Sequence, residues 1–328
     1  LDRADLIPEH DVLVTISHRG YAKRLPPDTF RAQGRGGKGV IGADLRDEDF
    51  VTDIFASSSH DYIMFFTSLG LVHWLKVFLI PEMSRTARGR ALVNLLDLQE
   101  EETITGMVPV AEFEQDSYLL MATESGKVKK TRLDAFGKRG SGGIIAINLA
   151  EDDRLIGVRK TSGDDEVMLG TGGGRAIRFH EEDVRPMGRT AAGVRGIKLR
   201  RDDAVVDLAL VREDATLLTV CENGYGKRTE FGEYSLQKRG GLGLLDIKTT
   251  KRNGPVVAMR EVTEDQELVL ATEQGMTVRI PVDSISCIGR NTQGVRLINT
   301  SGDDRVSGVV TLEPEEEGET EDAEQDQE

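Results

Sequence analysis

Residues 166–211 read EVMLGTGGGRAIRFHEEDVRPMGRTAAGVRGIKLRRDDAVVDLALV. Four short runs stand out in this stretch: Glu166–Thr171, Arg175–Phe179, Val194–Leu199 and Val205–Val211. They are rich in Val, Ile and Leu and are bounded by Gly, Asp or Ser, as strands are. Between the second and third runs lie Arg189 and, four residues on, Gly193. A turn glycine, Gly174, precedes Arg189 by 15 residues.

The same register recurs along the whole chain. The turn glycines are Gly20, Gly70, Gly126, Gly174, Gly224 and Gly275, spaced 50, 56, 48, 50 and 51 apart. The Arg/Gly pairs are Arg35/Gly39, Arg85/Gly89, Arg139/Gly143, Arg189/Gly193, Arg239/Gly243 and Arg290/Gly294. Ten residues after each turn glycine comes Phe30, Ile80, Phe136, Val184, Tyr234 or Ile285. A fixed period of this length marks a repeat architecture. Four strands repeated about every 50 residues describe a blade, and six blades make a propeller-like ring. The expected fold is all-β, a single six-bladed ring over residues 11–312. The blades fall near 11–59, 60–115, 116–164, 165–214, 215–265 and 266–312. A pair of three-repeat domains is disfavoured because no linker parts the third and fourth copies. The second copy is longest, with its extra residues expected near Gln99–Gln115. Residues 1–10 form a lead-in.

The chain carries 57 acids and 42 Lys and Arg, a net charge of −15. Taken as a total, this opposes phosphate binding. Yet ten of the acids lie in Glu313–Glu328, which contains no base and is expected to be a disordered tail. Elsewhere, charge is segregated by position in the repeat. The loops that hold the repeated arginine are basic: Arg31, Arg35 and Lys38; Arg85, Arg88 and Arg90; Lys138 and Arg139; Arg185, Arg189 and Arg195; Lys238 and Arg239; Arg290 and Arg296. The strand after the turn glycine adds Lys23, Arg24, Lys129, Lys130, Arg178, Lys227, Arg228 and Arg279. A later turn is acidic: Asp47–Asp49, Glu100–Glu102, Glu151–Asp153, Asp202 and Asp203, Asp303 and Asp304. Lys251 and Arg252 break that pattern in the fifth copy. Equivalent positions of a ring lie on a circle, so the expectation is a basic belt, suited to a duplex wrapped on the edge, and a separate acidic one.

Other chemistries find little support. No run of about 18 apolar residues exists, and the N-terminus lacks the pattern of a signal peptide. The first residue is Leu rather than Met, so a piece of a longer chain is expected. Cys221 and Cys287 make no disulfide framework, suit a reducing cytoplasm and read as buried thiols. Gly34–Gly39 fits G-x-G-x-x-G, but Val40–Leu45 reads as a strand where a dinucleotide site needs a helix. There is no P-loop. His10, His18, His60, His73 and His180 lack metal-ligand spacing, and Tyr62 and Tyr118 sit in strand runs and read as core. No catalytic or metal-binding residue is assigned.

The six blades coincide with Gln33-Gly34-Arg35-Gly36-Gly37-Lys38-Gly39 in the first of them. That heptapeptide resembles the signature box of the C-terminal domain of the DNA gyrase A subunit, Gln-Arg-Arg-Gly-Gly-Lys/Arg-Gly. The resemblance extends to Glu9–Val12, Ser84–Leu96, Gly224–Thr229 and Gly289–Val295, and covers almost the whole chain. It implies a β-pinwheel, whose blades exchange a strand with a neighbour, and a non-catalytic domain that wraps double-stranded DNA around its basic rim with a positive crossing. The box would close the ring and help hold the wrap. The resemblance also implies a bacterial cytoplasmic, nucleoid-associated setting. Its partners would be the remainder of the gyrase A subunit, together with the gyrase B subunit, and the isolated domain would be monomeric. ATP and Mg²⁺ would be used by other domains of that ATP-dependent type II topoisomerase, in negative supercoiling, and no cofactor by this chain. Gly34 departs from the box, which usually has Arg there, and Arg31 is close enough to substitute. The equivalent domain of the topoisomerase IV A subunit, a propeller that docks proteins and a propeller enzyme with a central site are the alternatives.

Overall fold

A computed structural model describes residues 6–27, 49, 51–111, 113, 116–137 and 143–312. Three consecutive strands form the body of each of six antiparallel sheets. They are β1 (Asp11–Ser17), β2 (Tyr21–Leu25) and β3 (Val51–Ser58) in blade one, and β4 (Tyr62–Thr67), β5 (Leu71–Lys76) and β7 (Ile104–Val110) in blade two. Blade three has β8 (Tyr118–Thr123), β9 (Lys127–Arg132) and β11 (Leu155–Thr161), and blade four has β12 (Glu166–Thr171), β13 (Arg175–His180) and β15 (Val205–Leu210). Blade five has β16 (Thr216–Cys221), β17 (Tyr225–Thr229) and β19 (Val256–Val262), and blade six has β20 (Glu267–Thr272), β21 (Thr277–Pro281) and β23 (Val306–Leu312).

The fourth strand of a blade is donated by the next repeat. Two-residue strands β6 (Arg90–Ala91), β10 (Ile144–Ile145), β14 (Val194–Arg195), β18 (Leu244–Leu245) and β22 (Val295–Arg296) pair with β2, β5, β9, β13 and β17. The run Val194–Leu199, expected as a strand of its own copy, is therefore strand only at its first two residues, and on the preceding blade. Blade six shows three strands among the described residues.

The hairpin turns explain the first glycine. In β12–β13 the Gly174 N–H donates to the Thr171 carbonyl (3.1 Å), and Gly174 has φ +86°. This is the left-handed position that follows a tight turn in a three-residue hairpin loop. A Cβ there would also lie 2.2 Å from the Ile247 carbonyl oxygen. The Thr171 hydroxyl receives the Arg175 N–H (3.2 Å), which closes the turn from the other side.

Blades stack face to face, so their central strands are covered on both sides. All six residues of β4, Tyr62 to Thr67, are buried. A continuous apolar run, rather than alternation, is what two covered faces require. The recurrent apolar residue after the turn glycine plugs the core shared with the preceding blade. Phe136 meets Phe66 edge-on at 5.9 Å, and Ile80, Val184, Tyr234 and Ile285 are buried in equivalent cores. Burying such a side chain contributes about 1.5–3 kcal/mol.

β7, β11, β15, β19, β23 and β3 pack in succession around a central cavity of about 960 Å³, which closes the ring. The donated strands consequently lie on the outer rim. The extra length of the second copy is split, part in Ala111–Ser117 and part in a helical turn, Leu92–Leu95, which precedes the expected place. No described helix is long and apolar enough to cross a membrane.

Candidate nucleic-acid interface

The repeated arginine and glycine are first of all devices of strand exchange. Arg189 donates from Nη1 to the Ile145 carbonyl (3.1 Å), Arg239 to the Arg195 carbonyl (3.0 Å) and Arg290 to the Leu245 carbonyl (2.9 Å). Each thus ties its rim loop to the two-residue strand donated by the repeat before it. Gly193, with φ +90°, lets the chain pass so close to β9 that a Cβ would sit 2.5 Å from the Val128 carbonyl oxygen. The spacing Arg-x-x-x-Gly is therefore set by one loop that must both reach sideways and lie flat.

Apart from the exposed Arg279, the cations on the second strand are spent inside the protein, against the expectation that they widen the basic belt. Lys129 is fully buried, and its Nζ donates to the carbonyls of Ala146 and Arg189 (2.6 Å to Arg189). Lys23 reaches the carbonyls of Arg85 (2.6 Å) and Ala87 (2.8 Å), and Lys227 those of Gly289 (2.8 Å) and Arg290 (3.2 Å). Lys130 donates to the Glu181 carbonyl (3.0 Å) and Arg228 to that of Ile285 (2.9 Å). Arg178 is held by Glu166 and the Phe231 carbonyl (2.9 Å), and Arg24 by the Ile80 carbonyl. Arg279 pairs with Glu267.

Burial, aided by the nearby Arg189 charge, lowers the Lys129 amine from 10.5 to about 7. Burial and Arg85 lower Lys23 in the same way. For Lys227, burial outweighs the acids Asp246 and Glu233, and the amine is again lowered. In the first, third and fifth blades, then, a buried amine supports from beneath the rim loop that carries the repeated, half-buried arginine.

The acidic turns lie on one face of the disc, beside the hairpin tips. The last acid of a turn caps a tip: Asp49 accepts from the Arg19 N–H (2.9 Å), Asp153 from Ser125 (2.9 Å), Asp203 from Gly173 (2.9 Å) and Asp304 from Gln274 (3.0 Å). Glu102 instead takes the Thr67 hydroxyl (2.7 Å), His73 (2.8 Å) and the Gln99 N–H (2.9 Å). Burial pushes its carboxyl up, but these donors outweigh it and hold the group below the usual range. The acids before the cap, such as Glu100, Glu101, Glu151 and Asp152, point to solvent.

Of the expected contact residues, Arg85, Arg88, Arg90, Arg189, Lys238, Arg239 and Arg290 all lie on the outer rim. Arg88 is exposed and stacks over the Tyr21 ring (5.0 Å). Arg90 is exposed on β6. The Lys238 side chain is 91% exposed and sits 3.2 Å from Asp183. Arg185, Arg195 and Arg296 are exposed there too. Arg31, Lys138 and Arg139, the box Gln33, Gly34, Arg35, Gly36, Gly37, Lys38 and Gly39, the run Val40–Leu45 and the tail 313–328 lie outside the described residues. Sequence reasoning passed over Lys198, Arg200, Arg201 and Lys248, exposed cations that follow the loop glycine. Their nearness to the acidic turn was the available signal.

Four charged residues lining the central cavity pair with one another: Arg159 with Glu261, and Arg260 with Asp207 (3.3 Å). Cys221 is buried and its thiol is pushed up to about 12 by burial and Asp246. Cys287, expected to be buried, is exposed beside Glu230 on a rim loop. Its place in the chain is that of Glu82 and Pro186 in other repeats, which also lie on the surface.

Comparison with known proteins adds the family. A family model described as "DNA gyrase C-terminal domain, beta-propeller" matches six segments: residues 11–58, 61–111, 117–162, 165–212, 215–263 and 266–313. The DNA gyrase A subunit of Salmonella typhimurium (strain LT2) is 50% identical over 305 residues, covering 93% of this chain and 35% of that protein. Its counterpart in Escherichia coli (strain K12) is 47% identical over 305 residues, with the same coverage of 93% and 35%. The chain thus spans about a third of the length of these relatives. A crystal structure of the C-terminal domain of DNA topoisomerase IV superposes with TM-score 0.84 at 26% identity, covering 95% of this chain and 96% of that one. A structure of a DNA gyrase A C-terminal domain superposes with TM-score 0.72 at 28% identity, covering 92% and 100%.

Proposed function

The chain belongs to the DNA gyrase C-terminal domain family, and on that premise we propose that it is the DNA-wrapping part of a gyrase A subunit. It carries no chemistry of its own in this reading. It bends duplex DNA around its rim with a positive crossing and presents the segment for strand passage. Passage takes place in the remainder of the gyrase A subunit, together with the gyrase B subunit, where ATP and Mg²⁺ act. The product is negatively supercoiled DNA.

The observation that carries the reading is geometric. Rim loops from the successive described repeats lie on one circle, and each offers exposed cations while the free acids gather on a face. Phosphates neutralised on such a rim release counterions, so log K falls with log salt by about 0.9 per contact. With one contact or more per blade the slope is about −5 or steeper. Bending a 20–30 base-pair segment by 40–90° costs of order 1–6 kcal/mol, so contacts from several blades must act together. Where Arg189 holds a backbone carbonyl with one Nη, its other nitrogens remain for phosphate.

A filter-binding titration of linear duplex across salt tests this. A steep negative slope supports wrapping, whereas salt-insensitive or absent binding sinks it and favours a protein-docking propeller. One observation favours topoisomerase IV, the higher TM-score of its domain. Sequence identity of 47–50% with the two gyrase relatives argues for gyrase. Ligating a nicked circle in the presence of the chain and then removing the protein tests the crossing. A positive linking difference supports gyrase-type wrapping, and an unchanged linking number removes the chiral wrap.

A further inference from the structure

The fifth blade reverses the charge of the acid-bearing face. The equivalent triplets in the six repeats are Asp47-Glu48-Asp49, Glu100-Glu101-Glu102, Glu151-Asp152-Asp153, Arg201-Asp202-Asp203, Lys251-Arg252-Asn253 and Gly302-Asp303-Asp304. The net charge runs from −3 in the first three to +2 in the fifth.

The fifth turn is built as firmly as the others. Asn253 is fully buried, and its Oδ1 receives the Thr250 N–H (2.7 Å). Its Nδ2 donates to the carbonyls of Lys248 (2.8 Å) and Gln293 (3.0 Å). A carboxylate could not donate, so the amide replaces the acid where the turn must be tied to the next rim loop. Lys248 and Lys251 stay exposed, with no carboxylate at ion-pair distance among the described residues.

Arg252 links this turn to the rim. Its Nε donates to the Tyr225 hydroxyl (3.1 Å), and its guanidinium lies 5.0 Å from the ring centroid. Arg296, on β22 at the rim, donates to the same hydroxyl and lies 4.7 Å from the same ring. One buried phenol therefore fixes a rim cation and a face cation side by side. Arg296, Arg252, Lys251 and Lys248 form a continuous basic strip from rim to face. Among the described residues the fourth repeat also exposes cations here, Lys198, Arg200 and Arg201, but its triplet keeps Asp202 and Asp203, and on the second and third blades the exposed acids repel phosphate.

A duplex held on the rim alone would follow a flat circle. A flat circle has no writhe, so it changes no linking number, and its two arms would collide on completing the turn. We propose that the wrapped duplex leaves the rim at the fifth blade and crosses onto the acid-bearing face over Lys248, Lys251, Arg252 and Arg296, and that this axial step gives the wrap its handed pitch. The inference rests on the wrapping function proposed above and names the place where the path departs from the plane.

The test is ligation of a nicked circle with bound chain, with the linking difference expressed per bound molecule. Lys248→Glu with Lys251→Glu makes this turn acidic, as the turns of the second and third blades are, and leaves Tyr225, Arg252, Arg296 and Asn253 in place. It is expected to lower the linking difference per bound chain to half or less. The matched rim pair, Arg185→Glu with Lys238→Glu, is expected to weaken binding comparably, each pair flattening the salt slope by about 0.9 for every phosphate no longer neutralised, with a smaller loss of linking difference. Arg252→Gln, which keeps a donor to Tyr225, is expected to act as the face pair does, more weakly. An unchanged linking difference in the face pair, or an equal loss in the rim pair, overturns the proposal. A rise in wrapping also overturns it, since the strip would then serve an acidic segment such as 313–328 rather than DNA. A wild-type chain that leaves linking number unchanged defeats the wrapping function itself, and this inference with it.

Discussion

Replacing Lys129 by Met should change how the stability of the ring depends on pH. Lys129 is wholly buried, donates to the Ala146 and Arg189 carbonyls, and has its amine lowered from 10.5 to about 7. In the unfolded chain the same amine keeps its proton to about pH 10.4. Between these values the unfolded state binds more protons than the folded one, so stability rises with pH through that window and is flat below it. From pH 7 to pH 9 the rise amounts to about 2 kcal/mol, nearly one proton over two pH units at 1.36 kcal/mol each. Methionine fills the same space without an amine. It leaves two carbonyls short of a donor, at a cost of about 1–3 kcal/mol each, but that cost does not vary with pH. Urea denaturation at pH 6, 7, 8 and 9, followed through the single Trp74, gives both curves. Wild type should gain about 2 kcal/mol on Lys129→Met between pH 7 and 9. Parallel curves would refute the reasoning, because they would mean that the buried amine keeps its proton throughout.

Three further outcomes are expected. Gly193→Ala places a Cβ 2.5 Å from the Val128 carbonyl oxygen at φ +90°, and should cost of order 1–3 kcal/mol in backbone strain alone; an unchanged denaturation midpoint would count against the close approach of the rim loop. Arg35→Ala with Lys38→Ala should lower the linking difference per bound chain more than bulk affinity, and an equal loss of both would deny the box a special role. Deleting Glu313–Glu328 removes ten acids that compete with phosphate for the rim, so DNA should bind more tightly at low salt, an effect that fades as salt screens it; equal binding by the truncated chain would leave the tail a solubilising end.

Much of the ring could be read from local chemistry. Gly174 and its counterparts mark hairpins because a left-handed residue after a tight turn is a short-range demand. The apolar run of β4 marks a strand covered on both faces. Phe136 and its counterparts fall ten residues after the turn glycine because that is the distance from the hairpin tip to the inter-blade core. The strand exchange left almost no trace in the sequence. A two-residue strand such as Val194–Arg195 is too short to show a period, and its partners Val128 and Lys127 lie more than sixty residues away.

The balance of charge divides in the same way. Sequence alone located the basic loops and acidic turns, because sign repeats at fixed positions of a fixed period. It also exposed the fifth copy as the exception. Which cations face water was decided by the tertiary structure. Lys129 and Arg189 look alike as basic residues of one motif, yet one is walled in by carbonyls and the other sits at the rim. The difference comes from the next repeat folding back over the blade before it. Burial of an amine depends on what is packed over it, and that cover is supplied from sixty residues away.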